Sequence, residues 1–267
     1  MKTTDIIKRS LGLILFLAFV LTGLKAEAAG GKIQLSDGQV IAAKEIRFKK
    51  TTQEYIITMP NGTELPMSKA RVKAVEIDKP AQYDQAAAAV TSGAVDQAIP
   101  ILEEMSAACF MLSPWDARCI DLLGFAYRKK NDNPKAAATY KKFYTSIANA
   151  SSITTDMQRR AWDAFIAVGD KTTLSQSVDA AIAKGSRENA AAAHIARADM
   201  AKSEKNLQDA LLDYLRVVLV YEQVKTIQPE ALYKTAQCLE ELRDPRAEDW
   251  RKKLMADYPQ DPWASKK

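Results

Sequence analysis

Two patterns of apolar and polar positions divide the chain. Between residues 32 and 77, apolar and polar residues alternate in short runs, which is the period of half-buried strands. Asp37-Gly38 and Asn61-Gly62 interrupt these runs, and both dipeptides favour tight hairpin turns because they tolerate positive φ. After Lys79-Pro80 the apolar positions recur with a helical period. The pattern therefore predicts a β region followed by a longer α region.

The β region is short for the number of strands it contains. About five strands in fewer than 50 residues predict a small curled sheet, and closure would remove its exposed edges. We therefore expect a small SH3-like or Sm-like β-barrel over residues 29–79. Its basic residues fit the solvated side of alternating strands better than a basic binding face. They are Arg47, Lys49, Lys50, Arg71 and Lys73.

Small residues recur through the α region with a period of 37 or 38 residues. One row consists of Ala98, Ala136, Thr173, Ala210 and Ala247. A second row lies about twelve positions earlier and consists of Ala86, Gly124, Ala161, Ala198 and Ala236. Such a period is typical of repeated helix pairs, each too small to bury its apolar face alone. The repeats are therefore expected to stack into a solenoid.

The α region resembles the tetratricopeptide repeat family over residues 82–260. Its second unit matches the family pattern at Leu123-Gly124, Tyr127, Ala136 and Tyr140. Its fourth unit matches at Ala198, Ala210 and Tyr214. Thr173 and a period above the family's 34 residues depart from the pattern. The resemblance implies a mainly α protein, a right-handed α-solenoid of about five helix pairs over residues 80–267.

The resemblance also implies where a partner binds. In this family the first helix of each unit lines a concave groove. The corresponding positions are Arg118, Asp121, Phe125, Arg128, Lys129, Gln158, Trp162, Phe165, Ile166, Asp199, Lys202, Tyr233, Gln237 and Glu240. Mixed charge with exposed aromatic side chains suits an extended peptide or a partner helix. Alternatively, Trp162 and Phe165 fill the inner core of a tightly wound array.

The N-terminal residues 1–28 read as a secretory signal peptide. Three basic residues precede the apolar run 11–24, and Ala26-Glu27-Ala28 forms a small-x-small cleavage site. The alternative is an uncleaved membrane anchor, for which the run is short. The first cysteine is Cys109, so no lipid-attachment cysteine is expected near the start. We expect a periplasmic or secreted protein, associated with a membrane only through partners or an uncleaved signal.

Charge and composition exclude several functional classes. The formal net charge of +5 falls to +3 without the signal, which removes Lys2, Lys8, Arg9 and Lys25 together with Asp5 and Glu27. This weak bias lacks the clustered basic surface of nucleic-acid-binding proteins, so no nucleic-acid partner is expected. Such binding by the β region would require retention in the cytoplasm.

The single histidine limits the available chemistry. His194 lies in an alanine-rich helical segment without a serine or cysteine motif nearby, so a structural role is favoured over a catalytic base. No metal site, cofactor or phosphate-binding loop is expected. Cys109 and Cys119 are spaced to bridge two successive helices as a disulfide, and two buried free thiols are the equal alternative.

Together these observations predict a non-catalytic adaptor or scaffold rather than an enzyme. The C-terminal segment around Pro229 and Tyr233 is similar to repeats of bacterial periplasmic Tol-Pal-associated and outer-membrane-assembly proteins. That similarity implies protein partners in a cell-envelope complex. The alternative is a subunit or enzyme that positions cell-wall or other polysaccharide, and it requires paired carboxylates across the groove, such as Asp121 with Glu240.

Overall fold

The computed structural model describes residues 30–266, and the predicted signal peptide lies outside them. Six short strands occupy the first part. They are β1 (Gly31–Leu35), β2 (Val40–Ala43), β3 (Glu45–Lys49), β4 (Glu54–Thr58), β5 (Glu64–Ser68) and β6 (Val72–Ile77). The two predicted turn glycines adopt positive φ, 93° at Gly38 and 85° at Gly62, which explains why glycine follows Asp and Asn there.

The strands form two antiparallel three-stranded sheets, ordered β2-β1-β6 and β3-β4-β5. Between β2 and β3 the chain turns from one sheet to the other at Lys44, whose N–H donates to the Thr58 carbonyl at 2.8 Å. The second sheet has Pro66 on its edge strand β5, where the missing N–H removes no interior ladder bond. The prediction of a small β region is confirmed, with six strands in two sheets that do not close into one ladder.

Ten helices follow within the described residues, so the chain is mainly α as predicted. They are α1 (Tyr83–Ser92), α2 (Val95–Ala108), α3 (Trp115–Lys129), α4 (Asn133–Tyr140), α5 (Thr155–Val168), α6 (Lys171–Lys184), α7 (Arg187–Ser203), α8 (Leu207–Val220), α9 (Gln228–Glu241) and α10 (Ala247–Asp257). Five of them begin at a side-chain cap. The capping residues are Asp132, Thr154, Asp170, Ser186 and Asn206.

The two rows of small residues mark helix contacts. Ala98, Ala136 and Ala210 lie on even-numbered helices and are fully buried. Gly124 on α3 faces the Tyr140 ring of α4, and a Cβ there would lie 2.5 Å from the ring. Each helix packs on the next, and α1, α3, α5 and α7 also contact in series. The period of 37 or 38 residues therefore corresponds to a repeated pair of helices.

The β region packs on the loop between α2 and α3. The Ile77 N–H donates to the Ser113 carbonyl at 3.0 Å, and the Tyr55 hydroxyl donates to the Met111 carbonyl at 3.3 Å. The Phe48 and Phe110 rings lie 5.7 Å apart between centroids. Buried residues of both regions belong to one apolar cluster. The β and α regions therefore share a core.

No helix within residues 30–266 is both long enough and apolar enough to cross a membrane.

Candidate protein-binding surface

Side chains of α3, α5, α7 and α9 meet on one surface, which we call the odd-helix face. Arg160 on α5 binds Asp121 on α3 through two hydrogen bonds of 2.8 and 2.7 Å. Arg159 on α5 pairs with Glu230 on α9. Ion pairs therefore link α3, α5 and α9 across this face, and α3, α5, α7 and α9 are the helices that carry all fourteen predicted groove positions.

The α3–α5 part of this face retains cations without carboxylate partners among the described residues. The Phe125 side chain is 37% exposed, and the Lys129 ammonium lies 5.4 Å from the centre of its ring. Arg118 is exposed beside the Trp115 ring, with its guanidinium carbon 4.7 Å from the centroid. This part of the face is therefore basic and partly aromatic.

Arg128 is the residue whose donors are least satisfied there. Its Nη1 atom is buried and has no hydrogen-bond partner among the described residues. Arg128 lines a cavity of about 230 Å³ together with Phe125, Lys129, Arg160 and other residues of α3–α5. A buried donor without an acceptor costs about 1–3 kcal/mol. An oxygen atom supplied by a ligand in this cavity would remove that cost.

The α7–α9 part of the face is different, because its charges are paired. Asp199 accepts hydrogen bonds of 2.6 Å from both the Tyr214 hydroxyl and the Lys234 ammonium. Lys234 also pairs with Glu230 at 2.9 Å. Burial alone would raise the pKa of Glu230, but the charges of Lys234 and Arg159 outweigh it and hold the pKa below its usual value. This network braces neighbouring helices.

Lys202 and Gln237 belong to the same braced part. The Lys202 ammonium donates to the Gln237 side-chain oxygen at 2.6 Å and pairs with Glu241 at 2.9 Å. Asp121 and Glu240, the carboxylates considered as a catalytic pair, each sit in a separate ion pair with Arg160 and Arg251. Neither carboxylate is therefore free to act on a substrate with the other.

Asp163 lies between the two parts of the face. Its side chain is exposed to solvent, yet it also lines two cavities of the face, one with Arg128 and one with Asp199. Partial desolvation by the surrounding protein, and secondly the negative charge of Asp199, raise the pKa of Asp163 above its usual value. Lys234, Arg128 and other cations oppose this shift without cancelling it.

The chain was compared with protein-family models and with curated proteins. Neither comparison finds a match. Interpretation of the odd-helix face therefore depends on its own geometry. Within residues 30–266 no three His, Cys, Asp or Glu side chains are grouped to hold a metal ion. His194 is buried on α7, with its Nδ1 3.1 Å from an Asp213 oxygen.

Four predicted groove residues contribute little or nothing to the open surface. Trp162 is fully buried, and its indole N–H donates to the Ser177 hydroxyl at 3.0 Å. Phe165 is also fully buried, so the core alternative describes both residues. Tyr233 is 8% exposed and packs beside the Trp263 ring, while Gln158 is half-buried. An aromatic residue at a family groove position does not by itself indicate exposure.

Sequence reasoning missed five charged residues of the face. These are Arg159, Arg160, Asp163, Glu230 and Lys234. Glu230 and Lys234 could have been found from their i, i+4 spacing on one helix. The pairing of Arg159 with Glu230 spans 71 residues and left no local signal.

A larger cavity of about 410 Å³ lies between α6, α7 and α8. Its charged groups already have partners. Lys171 pairs with Glu204 at 2.5 Å, and Arg197 pairs with Asp213 at 2.7 Å. The neighbouring cations hold the pKa of Asp213 well below its usual value, although burial opposes this. The paired charges give this cavity no unmet demand for a ligand.

Proposed function

We propose that this protein is a non-catalytic adaptor whose odd-helix face binds an acidic segment of a partner protein. The single observation that carries the proposal is the buried Nη1 atom of Arg128, which has no partner within residues 30–266 and lies beside a basic cavity with an exposed aromatic ring. In the fuller form of the proposal, the ten helices are a right-handed tetratricopeptide-like solenoid and the β region is an SH3-like module. The protein is exported and serves a cell-envelope complex.

Curvature of the odd-helix face supports a groove. Packed helices lie about 8–10 Å apart, so α5 and α9 would be separated by about 18 Å if α5, α7 and α9 lay on a plane. Arg159 and Glu230 nevertheless form an ion pair between α5 and α9. Their side chains meet readily if the face bends toward itself, as the inner face of a solenoid does.

The chemistry of the open part favours a carboxylate-bearing ligand. Arg128 offers a guanidinium edge, which binds a carboxylate through charge-assisted hydrogen bonds. Lys129 adds a second positive charge, and Phe125 offers an apolar contact beside it. An aromatic anchor next to a partly buried arginine is the composition typical of residues that dominate binding energy. An Asp or Glu side chain next to an apolar residue in the partner satisfies both demands.

Site-specific crosslinking in cells of the source organism tests this function. A photoreactive phenylalanine analogue at position 125 should capture a defined protein, and mass spectrometry should place the crosslink in an acidic segment. A synthetic peptide of that segment should bind the purified protein. Arg128→Glu with Lys129→Glu should weaken binding at least tenfold, because two attractive charges become repulsive.

Lys184→Glu with Lys225→Glu is the matched control, since it makes the same change in net charge on exposed residues outside the odd-helix face. It should leave peptide binding nearly unchanged. If both double variants lost the same peptide affinity, the loss would be due to the change in net charge and not to the odd-helix face. Failure of position 125 to capture any specific protein would contradict the proposal.

One observation favours the second candidate, a substrate-positioning subunit or enzyme for cell-wall or other polysaccharide. Asp163 and Asp199 are neighbouring carboxylates in unlike surroundings. The pKa of Asp163 is raised, whereas Asp199 forms an ion pair with Lys234. Carboxylates in unlike environments serve as acid and base in glycoside hydrolysis. Release of reducing ends from purified peptidoglycan, abolished by Asp163→Asn, would favour this function over the adaptor.

A further inference from the structure

Two of the three cysteines are neighbours at the junction of the β and α regions. Cys109 follows α2 at its C-terminal end, and Cys119 lies on α3. The neighbouring Cys109 thiol raises the pKa of Cys119, and both side chains are buried where α2 packs against α3. All three cysteines are free thiols in the structure. Cys238 lies on α9, where its thiol donates to the Leu207 carbonyl at 3.2 Å.

The segment between the two cysteines carries the contacts that hold the β region. Phe110 packs against Phe48, with Lys50 3.9 Å from the centre of its ring. Met111 and Ser113 supply the carbonyl oxygens that accept hydrogen bonds from the β region. A bond that closed this segment would restrict the same residues in the unfolded chain and in the folded junction.

We propose that Cys109 and Cys119 form a disulfide bond when the chain folds under oxidising conditions, and that this bond secures the junction between the β and α regions. The proposal is independent of the adaptor function, because neither cysteine lines the odd-helix cavity. A short loop closed in this way stabilises the fold mainly by reducing the entropy of the unfolded chain.

The reaction is a thiol–disulfide exchange with a small disulfide oxidant such as oxidised glutathione. One thiolate of the protein attacks a sulfur of the oxidant, forms a mixed disulfide and releases one reduced thiol. The second protein thiolate then displaces the remaining oxidant half. The protein loses two protons and two electrons, and one oxidised glutathione becomes two reduced glutathiones.

Timing follows from the surroundings of the thiols. The contact with Cys109, together with burial, raises the pKa of Cys119 in the folded protein. The reactive thiolate is therefore scarce once the junction has formed, and the thiols are shielded from an oxidant. Exchange proceeds while the chain is still folding, so the test begins from the unfolded, reduced protein.

The experiment refolds the full reduced chain in a mixture of reduced and oxidised glutathione, blocks free thiols with an alkylating reagent and digests the product with trypsin. Cleavage after Arg118 separates the two cysteines into peptides 74–118 and 119–128. The expected product is these two peptides joined, two hydrogens lighter than their sum, with Cys238 alkylated. Reductant should lower the melting temperature of this product by about 5 °C.

Cys238→Ser is the matched control and should keep both the joined peptide and the reductant-sensitive melting temperature. Cys109→Ser should lose both, and circular dichroism establishes that it is folded. Alkylation of all three cysteines in the refolded wild-type protein would overturn the proposal. A joined peptide containing Cys238, or an equal reductant effect on wild type and Cys109→Ser, would also overturn it.

Discussion

The two parts of the odd-helix face use similar residues in opposite ways. On α7 and α9, Asp199, Lys234 and Glu230 form a continuous chain of ion pairs that reaches α5 through Arg159. On α3, Arg128 has a buried nitrogen without an acceptor in the part of the chain that the structure describes. Charged residues thus join α5, α7 and α9 at one end, whereas at the other end Arg128 stays available beside the Arg160–Asp121 ion pair.

This difference shows that charge alone does not identify a binding surface. A buried carboxylate between two cations is already paired within the protein, so a ligand could bind it only by breaking those ion pairs. A buried donor with no acceptor has an unmet demand. The α3–α5 part is therefore the better candidate for binding, and the α7–α9 part is the better candidate for stability.

The largest expected effect separates two aromatic residues that the sequence placed in the same groove. Trp162→Ala removes a fully buried indole and its hydrogen bond to Ser177, and we expect the free energy of unfolding to fall by about 4 kcal/mol. Phe125→Ala removes a partly exposed ring and should cost less than about 1 kcal/mol. Urea denaturation measures both. Equal losses would mean that the two side chains are not divided between core and surface.

The contrast between these two aromatics also shows what could be predicted from sequence. The small-residue rows located the helix pairs, because a residue such as Gly124 must be small wherever helices approach closely. The change from a strand period to a helical period also located the boundary near Pro80. The burial of Trp162 depends on how far successive pairs rotate, which the period does not determine.

Site residues were predictable only where their position on a helix sufficed. Phe125 and Lys129 could be placed on one face of α3 because residues four positions apart are neighbours on a helix surface. The pair of Arg159 and Glu230 depends on curvature across three helices, which has no local pattern in sequence. The division of the β region into two sheets likewise depends on the bend at Lys44, which the alternation of residues does not mark.

The next largest effect tests the bracing role of the α7–α9 part. Glu230→Gln removes the negative charge between Arg159 and Lys234, and the two cations then repel each other in a partly buried site. We expect the free energy of unfolding at pH 7 to fall by about 2 kcal/mol. Glu248→Gln is the matched control, because Glu248 pairs with Lys252 on the surface of α10 and should cause no measurable change. Equal losses in urea denaturation would contradict the bracing role.

The smallest effect compares the two parts through their pH dependence. Asp163 has a raised pKa, so its ionised form is disfavoured in the folded protein at pH 7. Asp163→Asn should therefore be slightly more stable than wild type, by well under about 1 kcal/mol because solvent screens this exposed group. As the pH falls toward 3.8, the usual pKa of an aspartate, Asp163 is protonated in folded wild type before it is protonated in the unfolded chain. The stability advantage of Asp163→Asn over wild type therefore shrinks.

The contribution of Glu230 to stability depends on pH in the opposite direction, because the pKa of Glu230 is lowered in the folded protein. Its contribution to stability is complete above the usual value of 4.5 and is lost as the pH falls below it. As the pH falls, the free energy of unfolding of wild type should therefore rise relative to that of Asp163→Asn and fall relative to that of Glu230→Gln. Urea denaturation of the three proteins at pH 7, 5 and 4 measures both differences. If both differences moved in the same direction, the two carboxylates would share one electrostatic environment, and the division of the face into an open part and a braced part would fail.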